Sequence, residues 1–543
     1  MSLPDLSPQQ KAGEPCALCK QPSNHQCGGC GLVAYCSGEH QKEHWVEHSE
    51  KCKAYTVLQN DKVGRYGVAS RTLEPGEQVL TELPVVVGPK PDTYVMCLGC
   101  HAPADGTVTC SKCGWPVCGP VCEKQPCHAA AECQVFSAAG VKFQPVDDCM
   151  DSCPQLNCIT PLRLLLSNQS NPKRWELEVK LMEAHNEARK DTPIWENNQI
   201  NVVEYLRNVC KLADKFDEDI IHTACGILEV NSFEVRCLSG SAIQGLYPQT
   251  AIMSHNCVPN TSHCIVGSED NRQVIMHFLC RLILRTTVKI EKGAEIFTTY
   301  THTLNPTLLR REHLKQSKFF DCSCPRCSDP NELGTHMSTL KCNKCDNGVI
   351  ISSNPLDATA QWKCTHCEFV TPGSAVRRVF SVIQADLDQL DYMEPGAGVV
   401  EFREQLWKKY KSVLHPHHAF LTSLRCSLSQ LYGRAEGYLM EDLPDIMLER
   451  KIEICKDILS VADIVEPGCS RLRVMLFARS QWRYKEIDDK KLRVRLEEAE
   501  KYLKEAVDIL KLEPPSSPEG MIASIAEESL QQLRTSIEAL PKS

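Results

Sequence analysis

The chain has 543 residues, 42% hydrophobic and 24% charged, which is too long for one core and has the proportions of a soluble globular protein of three or four domains. A formal net charge of −9 excludes a protein that grips nucleic acid through its overall charge, so any chromatin role would need a partner or a local patch. The opening stretch MSLPDLSPQQKAGEP holds no apolar run, and nothing in the sequence approaches the roughly 18 apolar residues of a membrane span. Neither a secretory leader nor a membrane segment is expected.

The anomaly is 33 cysteines in a chain far longer than a secreted disulfide scaffold. In a reducing compartment, paired cysteines read as metal sites, and the nucleus and cytoplasm are the expected locations. The first block runs Cys16-x2-Cys19, Cys27-x2-Cys30, Cys36-x3-His40 and His48-x3-Cys52. Each C-x2-C lets one tight turn present two thiolates to a tetrahedral ion, and eight ligands in four pairs make two sites. His25 and His44 fall outside the pattern and are read as solvent-facing. The run YCSGEHQKEHWVEHSEKC closely resembles a MYND finger. That resemblance implies interleaved sites, with Cys16, Cys19, Cys36 and His40 on one ion and Cys27, Cys30, His48 and Cys52 on the other. His40 stands where the family usually has cysteine, a swap that zinc accepts.

The segment DKVGRYGVASRTLEPGEQVLTELPVVVG alternates apolar and polar residues about Pro75-Gly76, which predicts a short hairpin. Gly64 and Gly67 would permit close backbone approach to a ligand, although two glycines at this spacing more often serve a turn. A second cysteine block follows at Cys97-x2-Cys100, Cys110-x2-Cys113, Cys118-x3-Cys122, His128 and Cys133. It repeats the order of the first and predicts a two-zinc, MYND-like module, with either His128 or its neighbour Cys127 as a ligand. Residues 136–230 read as helices and loops, RWELEVKLMEAHNEARK among them.

Cys322, Cys324 and Cys327 in FFDCSCPRC leave a tetrahedral zinc one ligand short, and Cys257 in SHNCVPN is the candidate fourth. Cys342-x2-Cys345-x18-Cys364-x2-Cys367 is the spacing of a zinc ribbon. Other cysteines, such as Cys210, Cys280 and Cys455, lack ligand spacing and read as small buried hydrophobes. From about residue 376 the periodicity is helical: Phe420, Leu424, Leu428 and Leu431 share a face, as do Leu448, Ile452, Cys455, Leu459 and Ala462. Ala499, Leu503, Ala506 and Leu510 make a third stripe before PPSSP at 514–518 interrupts.

A glycine-containing first hairpin, NSF at 231–233, GLYP at 245–248, SHNCVPN, the strand VKIEKGAEIFTTY and a C-x-C-x2-C tail occur in the order of a SET domain. With the fingers and helical tail, residues of about 60 to 510 resemble the SMYD family of lysine methyltransferases, specifically its arthropod-type SmydA-like members with an extra MYND finger. The resemblance implies a multidomain α+β fold: zinc-stabilised MYND fingers, a split β-rich SET domain with a helical insert, a post-SET zinc site, a zinc ribbon and a TPR-like helical bundle. The implied divisions are a MYND-type finger at 1–55, the first part of SET at 56–96, the second finger-like module at 97–135, the SET insert and core at 136–320, the post-SET site and ribbon at 321–375, and the helical domain at 376–543.

By the same resemblance Tyr300 is the catalytic tyrosine, and the backbone of Gly64, Arg65, Tyr66 and Gly67, with Ser254, His255 and Phe320, borders S-adenosyl-L-methionine. Asn231 and Phe233 wall the substrate pocket. About six zinc ions per chain are implied. The expected partners are a lysine of a protein substrate, histone or other, and proline-rich peptides of transcriptional co-regulators at the MYND finger; the chain is expected to be a monomer. Two departures matter. Ser254 replaces a longer asparagine, and Lys318 falls at a channel position the family gives to tyrosine, unless the register slips and puts Phe319 there with Lys318 in solvent. They imply a weak or narrow protein-lysine N-methyltransferase, with a non-catalytic adaptor in transcriptional regulation as the rival. A directly DNA-binding zinc protein is disfavoured, since neither block has Cys2His2 helix spacing and residues 1–55 carry no excess of Lys and Arg.

Overall fold

The computed structural model describes residues 6–8, 14–28, 30, 33–61, 63–149, 151–237, 239–266, 280–473, 489–513, 515 and 517–540. Two compact units emerge, each assembled from separated stretches of chain: 1–71, 78–253 and 263–285 form one, and 72–77, 254–262 and 286–543 the other.

In the first unit, the leading strands are Leu6–Pro8, His25–Cys27 and Ala34–Tyr35, followed by the helix Gly38–Cys52. Ser37 starts that helix by accepting a hydrogen bond from the His40 amide at 3.3 Å, which satisfies one of the unpaired donors of the first turn. Tyr55–Asn60 then pairs antiparallel with Gly64–Ala69, from Tyr55↔Ala69 to Asn60↔Gly64. The turn closes where the Val63 amide donates to Asn60 Oδ1 at 2.9 Å and Gly64 takes φ +70°, a backbone state that costs glycine nothing.

This is not the hairpin expected about Pro75-Gly76. Gln78–Glu82 pairs instead with Arg281–Thr286, and Val86–Pro89 with Ala242–Leu246, which carries Ser232–Arg236 on its other edge. Gly76 does turn the chain, at φ +81°, but the strands flanking it enter different sheets. The expected helix over RWELEVKLMEAHNEARK is also broken. It becomes a helical turn Pro172–Arg174, a π-helical turn Trp175–Val179 and a separate turn Asn186–Arg189, with His185 at φ +51° between the last two. The helices Ile159–Ser170 and Glu218–Asn231 are regular, the second begun by Asp217, whose carboxylate accepts from the Ile220 amide at 2.8 Å.

In the second unit, Ser254–His255 and Phe297–Thr298 make a short parallel pair. The helix Thr307–Lys318 follows, ended by Phe319 in the left-handed region at φ +60°. Leu340–Lys341, Val349–Ser352, Gln361–Cys364 and Val370–Pro372 form a four-stranded antiparallel meander around the ribbon cysteines. Among the described residues, six long helices come next: Gly373–Asp388, Ala397–Tyr410, Ala419–Leu431, Asp445–Val465, Asp489–Leu510 and Pro518–Ala539. Their stripes are core as expected: Phe420, Leu424, Leu428, Leu448, Cys455, Leu459 and Ala462 are buried. Residues 514 and 516 of the PPSSP interruption lie outside the described residues; Ser517 restarts the helix by accepting from the Gly520 amide at 3.0 Å, with Pro518 in the first turn.

Candidate metal centres and the Tyr300 cluster

Four ligands at about 2.3 Å from a tetrahedral zinc would stand about 3.8 Å from one another. The thiol pairs of this chain have that spacing. Sulfur–sulfur distances are 3.6 Å for Cys19–Cys36, 3.5 Å for Cys27–Cys52, 3.5 Å for Cys100–Cys118 and 3.8 Å for Cys110–Cys133. They are 3.5 Å for Cys257–Cys327, and 3.7 Å for both Cys342–Cys367 and Cys345–Cys364. Ligand atoms lie within 4.8 Å of one another in the groups Cys16, Cys19, Cys36, His40; Cys27, Cys30, His48, Cys52; Cys97, Cys100, Cys118, Cys122; Cys110, Cys113, His128, Cys133; and Cys257, Cys322, Cys324, Cys327. The donors fit zinc: thiolates and imidazoles, with no carboxylate among them.

Several second contacts were invisible in the spacing. His44 is not solvated as expected: its Nδ1 lies 2.9 Å from the Tyr35 hydroxyl, and its ring stacks on His48 at 5.9 Å. In the second module His128, not Cys127, joins the cluster, with Nε2 3.6 Å from Cys113 Sγ. The Cys127 thiol instead donates to the carbonyls of Leu98 and Gly99. His128 Nδ1 meets the buried Glu132 carboxylate at 2.8 Å, and Glu132 is gripped by Arg163 through Nε at 2.8 Å and Nη2 at 2.6 Å. Arg163 also donates to Val87 O at 2.9 Å and Leu98 O at 2.8 Å. Burial alone would raise the Glu132 carboxyl, but the guanidinium and imidazole outweigh it and hold it below its ordinary range. The ionised carboxylate turns His128 so that Nε2 faces the thiols. A lone arginine inside ITPLRLLLS was the one sequence signal for this contact.

In the second unit, the parallel pair sets His255 beside Tyr300. The Tyr300 amide donates to His255 Nδ1 at 3.0 Å, which leaves the ring proton on Nε2, 3.3 Å from Cys257 Sγ. The His255 ring lies 5.3 Å from that of Tyr300 and 5.9 Å from that of Phe320. Tyr300, Phe320 and Leu314 pack on Cys257, Cys322 and Cys327, so the aromatic cluster rests directly on the thiol cluster. Asn260 holds this loop: its amide donates to Glu295 O at 2.9 Å and accepts from the Phe297 amide at 2.7 Å. Beneath the thiols, Arg326 donates to Cys257 O at 3.2 Å and Thr303 O at 2.7 Å, with the buried Glu332 between Arg326 and Arg310. Neither Asn260 nor these arginines stood out in the sequence.

Lys318 is half-buried, with Nζ 5.9 Å from the centre of the Tyr300 ring. Desolvation lowers its ammonium to about 8. Burial pushes the Tyr300 hydroxyl above its ordinary range, so it stays protonated. Ser254 is half-buried in the strand pair beside Phe297.

The other sequence candidates lie in the first unit. Arg65 donates to Leu181 O at 2.9 Å, and Tyr66 stands opposite Leu58 in the hairpin. The space beside Gly67 is taken by Met253, whose sulfur is 2.6 Å from where a Cβ would stand. Asn231 Nδ2 donates to Glu183 O and Ile227 O, each at 2.9 Å, and Phe233 packs edge-on to Tyr247 and His263.

Comparison with known proteins agrees with this architecture. The MYND finger family matches residues 16–52. The "SET domain-containing protein SmydA-8, isoform A" of Drosophila melanogaster is 31% identical over 331 residues, covering 59% of this chain and 66% of that protein. "N-lysine methyltransferase SMYD2" of Gallus gallus is 25% identical over 244 residues, covering 43% of this chain and 50% of that one. The chain thus spans about half to two thirds of the curated relatives it matches. The crystal structure of the SET domain of LSMT bound to lysine and AdoHcy covers 92% of each chain at 12% identity, but its TM-score of 0.27 is too low to bear on fold or site. A MYND finger, several zinc-type clusters and mixed helix and sheet define a multidomain SET- and MYND-type protein. Among known proteins the chain is similar to the SMYD family, and within it to the SmydA type.

Proposed function

We propose that the protein is an S-adenosylmethionine-dependent protein-lysine N-methyltransferase of low or narrow activity. The observation that carries this reading is the cluster of His255, Tyr300 and Phe320 packed on the Cys257–Cys322–Cys327 thiols, in a chain similar to the SMYD family. S-adenosylmethionine would supply a methyl group on a sulfonium, and Ser254, His255 and Phe320 are the residues of the second unit proposed to hold it. The rest falls to the protein. An incoming lysine with an ordinary pKa near 10.4 must arrive as a neutral amine, and apolar walls disfavour its charged form. The protonated Tyr300 hydroxyl orients the amine, while Phe320 excludes water. About six zinc ions per chain hold the frame as folding energy.

We also propose that residues 16–52 capture proline-rich peptides of transcriptional partners, that the substrate is a lysine of a histone or other protein, and that the protein works as a monomer in nucleus and cytoplasm. The domain divisions given above are likewise proposed as working boundaries. A second reading, a non-catalytic adaptor, is favoured by one observation: the Lys318 cation at the Tyr300 ring would repel a substrate ammonium.

Calorimetric titration with S-adenosylmethionine tests the cofactor, and no heat of binding would leave the adaptor. Tyr300→Phe keeps the ring and removes the orienting hydroxyl; turnover should drop about a hundredfold, and an unchanged rate refutes the role. Because Lys318 is charged below about 8 and neutral above, turnover should climb as pH rises through that value. In Lys318→Met that part of the climb should vanish, although the substrate's own deprotonation remains. The same sign governs stability: the cost of the buried ammonium is full below about 8 and fades toward 10.5. If wild type and Lys318→Met have superimposable profiles, the lysine does not face the reacting amine.

A further inference from the structure

His25–Cys27 is the middle strand of its sheet. Ala34–Tyr35 pairs on one side, and on the other lies Leu6–Pro8, in antiparallel register Leu6↔Cys27, Ser7↔Gln26 and Pro8↔His25. The metal clusters do not require this outer strand: every grouped donor of the block lies between Cys16 and Cys52. The middle strand also has its own support, since the Cys27 amide donates to Val33 O at 2.8 Å and its thiol sits 3.5 Å from Cys52. Gln26 and Cys27 are buried. The edge is therefore held from its other side by Ala34–Tyr35 and at one end by a metal donor, and an edge already in place lowers the ordering cost of anything that adds to it.

What adds to it is short and extended. Main-chain hydrogen bonds supply affinity when a peptide joins a sheet edge, and they need only a free edge and an extended guest. Pro8 has no amide hydrogen, so it cannot donate to the ladder, and three residues form too short a strand to be held firmly by pairing alone. Tethering makes up the difference, because a guest on a short linker works at an effective concentration on the order of millimolar.

We propose that the outer edge of His25–Cys27 is a docking edge for extended, proline-containing peptides and that Leu6–Pro8 is its built-in occupant, which a partner peptide must displace. This rests on the reading of residues 16–52 as a peptide-capturing module. It adds the position of capture, the antiparallel register and the competitor. A partner is then selected by its ability to outcompete a tethered strand, so the edge would reject weak or monovalent peptides and accept multivalent ones.

The test uses the full-length zinc-loaded chain, a form lacking residues 1–10, and Ser7→Pro, which removes the central amide of the outer strand and leaves the rest of the chain. The probe is a fluorescent synthetic peptide of sequence MSLPDLSPQQ, followed by polarisation. If the edge is self-occupied at millimolar effective concentration, the probe should bind the truncated chain and Ser7→Pro at least about tenfold more tightly than wild type. Zinc content, measured in all three, shows that the finger remains folded. Equal binding to all three overturns self-occupancy and leaves peptide capture standing. Binding to none, with zinc retained, overturns both. Tighter binding to the truncated chain but not to Ser7→Pro places the competition outside the Leu6–Pro8 pairing and overturns the proposed register.

Discussion

The two finger blocks share an order of ligands and differ in what steadies them. In the first, the imidazole of His48 is braced by its own helix and sheet: Trp45 meets it edge-on at 5.8 Å, and His44, tied to the Tyr35 hydroxyl, stacks against it. In the second, His128 is steadied by Glu132, and Glu132 by Arg163 on the helix Ile159–Ser170, which also donates to the strand Val86–Pro89. One module is braced from within by aromatic rings. The other is fastened to its surroundings by a buried ion pair. The same donor pattern can therefore give either a portable module or a structural part, and the difference lies in residues that never touch the metal.

The largest effect should follow Arg163→Met. It strands a fully buried carboxylate, a change that typically costs about 3–5 kcal/mol. Urea denaturation should record the loss, and elemental analysis should find less zinc per chain while the excised 16–52 segment keeps its own. A smaller effect is expected of Glu132→Gln, which retains the shape but weakens the hold on His128. Chelator competition should show zinc affinity at Cys110, Cys113, His128 and Cys133 reduced about 10- to 100-fold. Smallest is Tyr35→Phe, which deletes one hydrogen bond to His44 and should cost about 1 kcal/mol with no loss of metal. If Arg163→Met were no worse than Tyr35→Phe, the contrast between fastened and self-braced modules would be wrong.

Metal donors were readable from the sequence because ligand type and spacing are local: two residues between cysteines bring two thiolates into one turn. The helical stripes were readable for the same reason, as period and burial agree residue by residue at Leu428, Cys455 and Ala462. What failed to show was pairing at a distance. Gln78–Glu82 finds its partner at Arg281–Thr286, some two hundred residues on, and no local pattern names that strand over the one across Pro75-Gly76. Cys127 and His128 are adjacent and both competent; only the contact of His128 with Glu132 separates them. At the Tyr300 cluster, Lys318 was visible as a departure at one aligned position, with the alternative that it lay in solvent. The structure gives it a half-buried place by the Tyr300 ring, because Phe319 adopts a left-handed backbone and ends the helix there.

Asn260 has a consequence for how this part of the molecule can change over time. The pair Ser254–His255 and Phe297–Thr298 is only two residues long on each side, too short to choose its own alignment. The single Asn260 carboxamide reads both Glu295 and Phe297 and so acts as a template for that alignment. A change at this one side chain, such as Asn260→Asp, which turns one donor into an acceptor facing the Glu295 carbonyl, should therefore disturb the cluster although it touches neither Tyr300 nor His255.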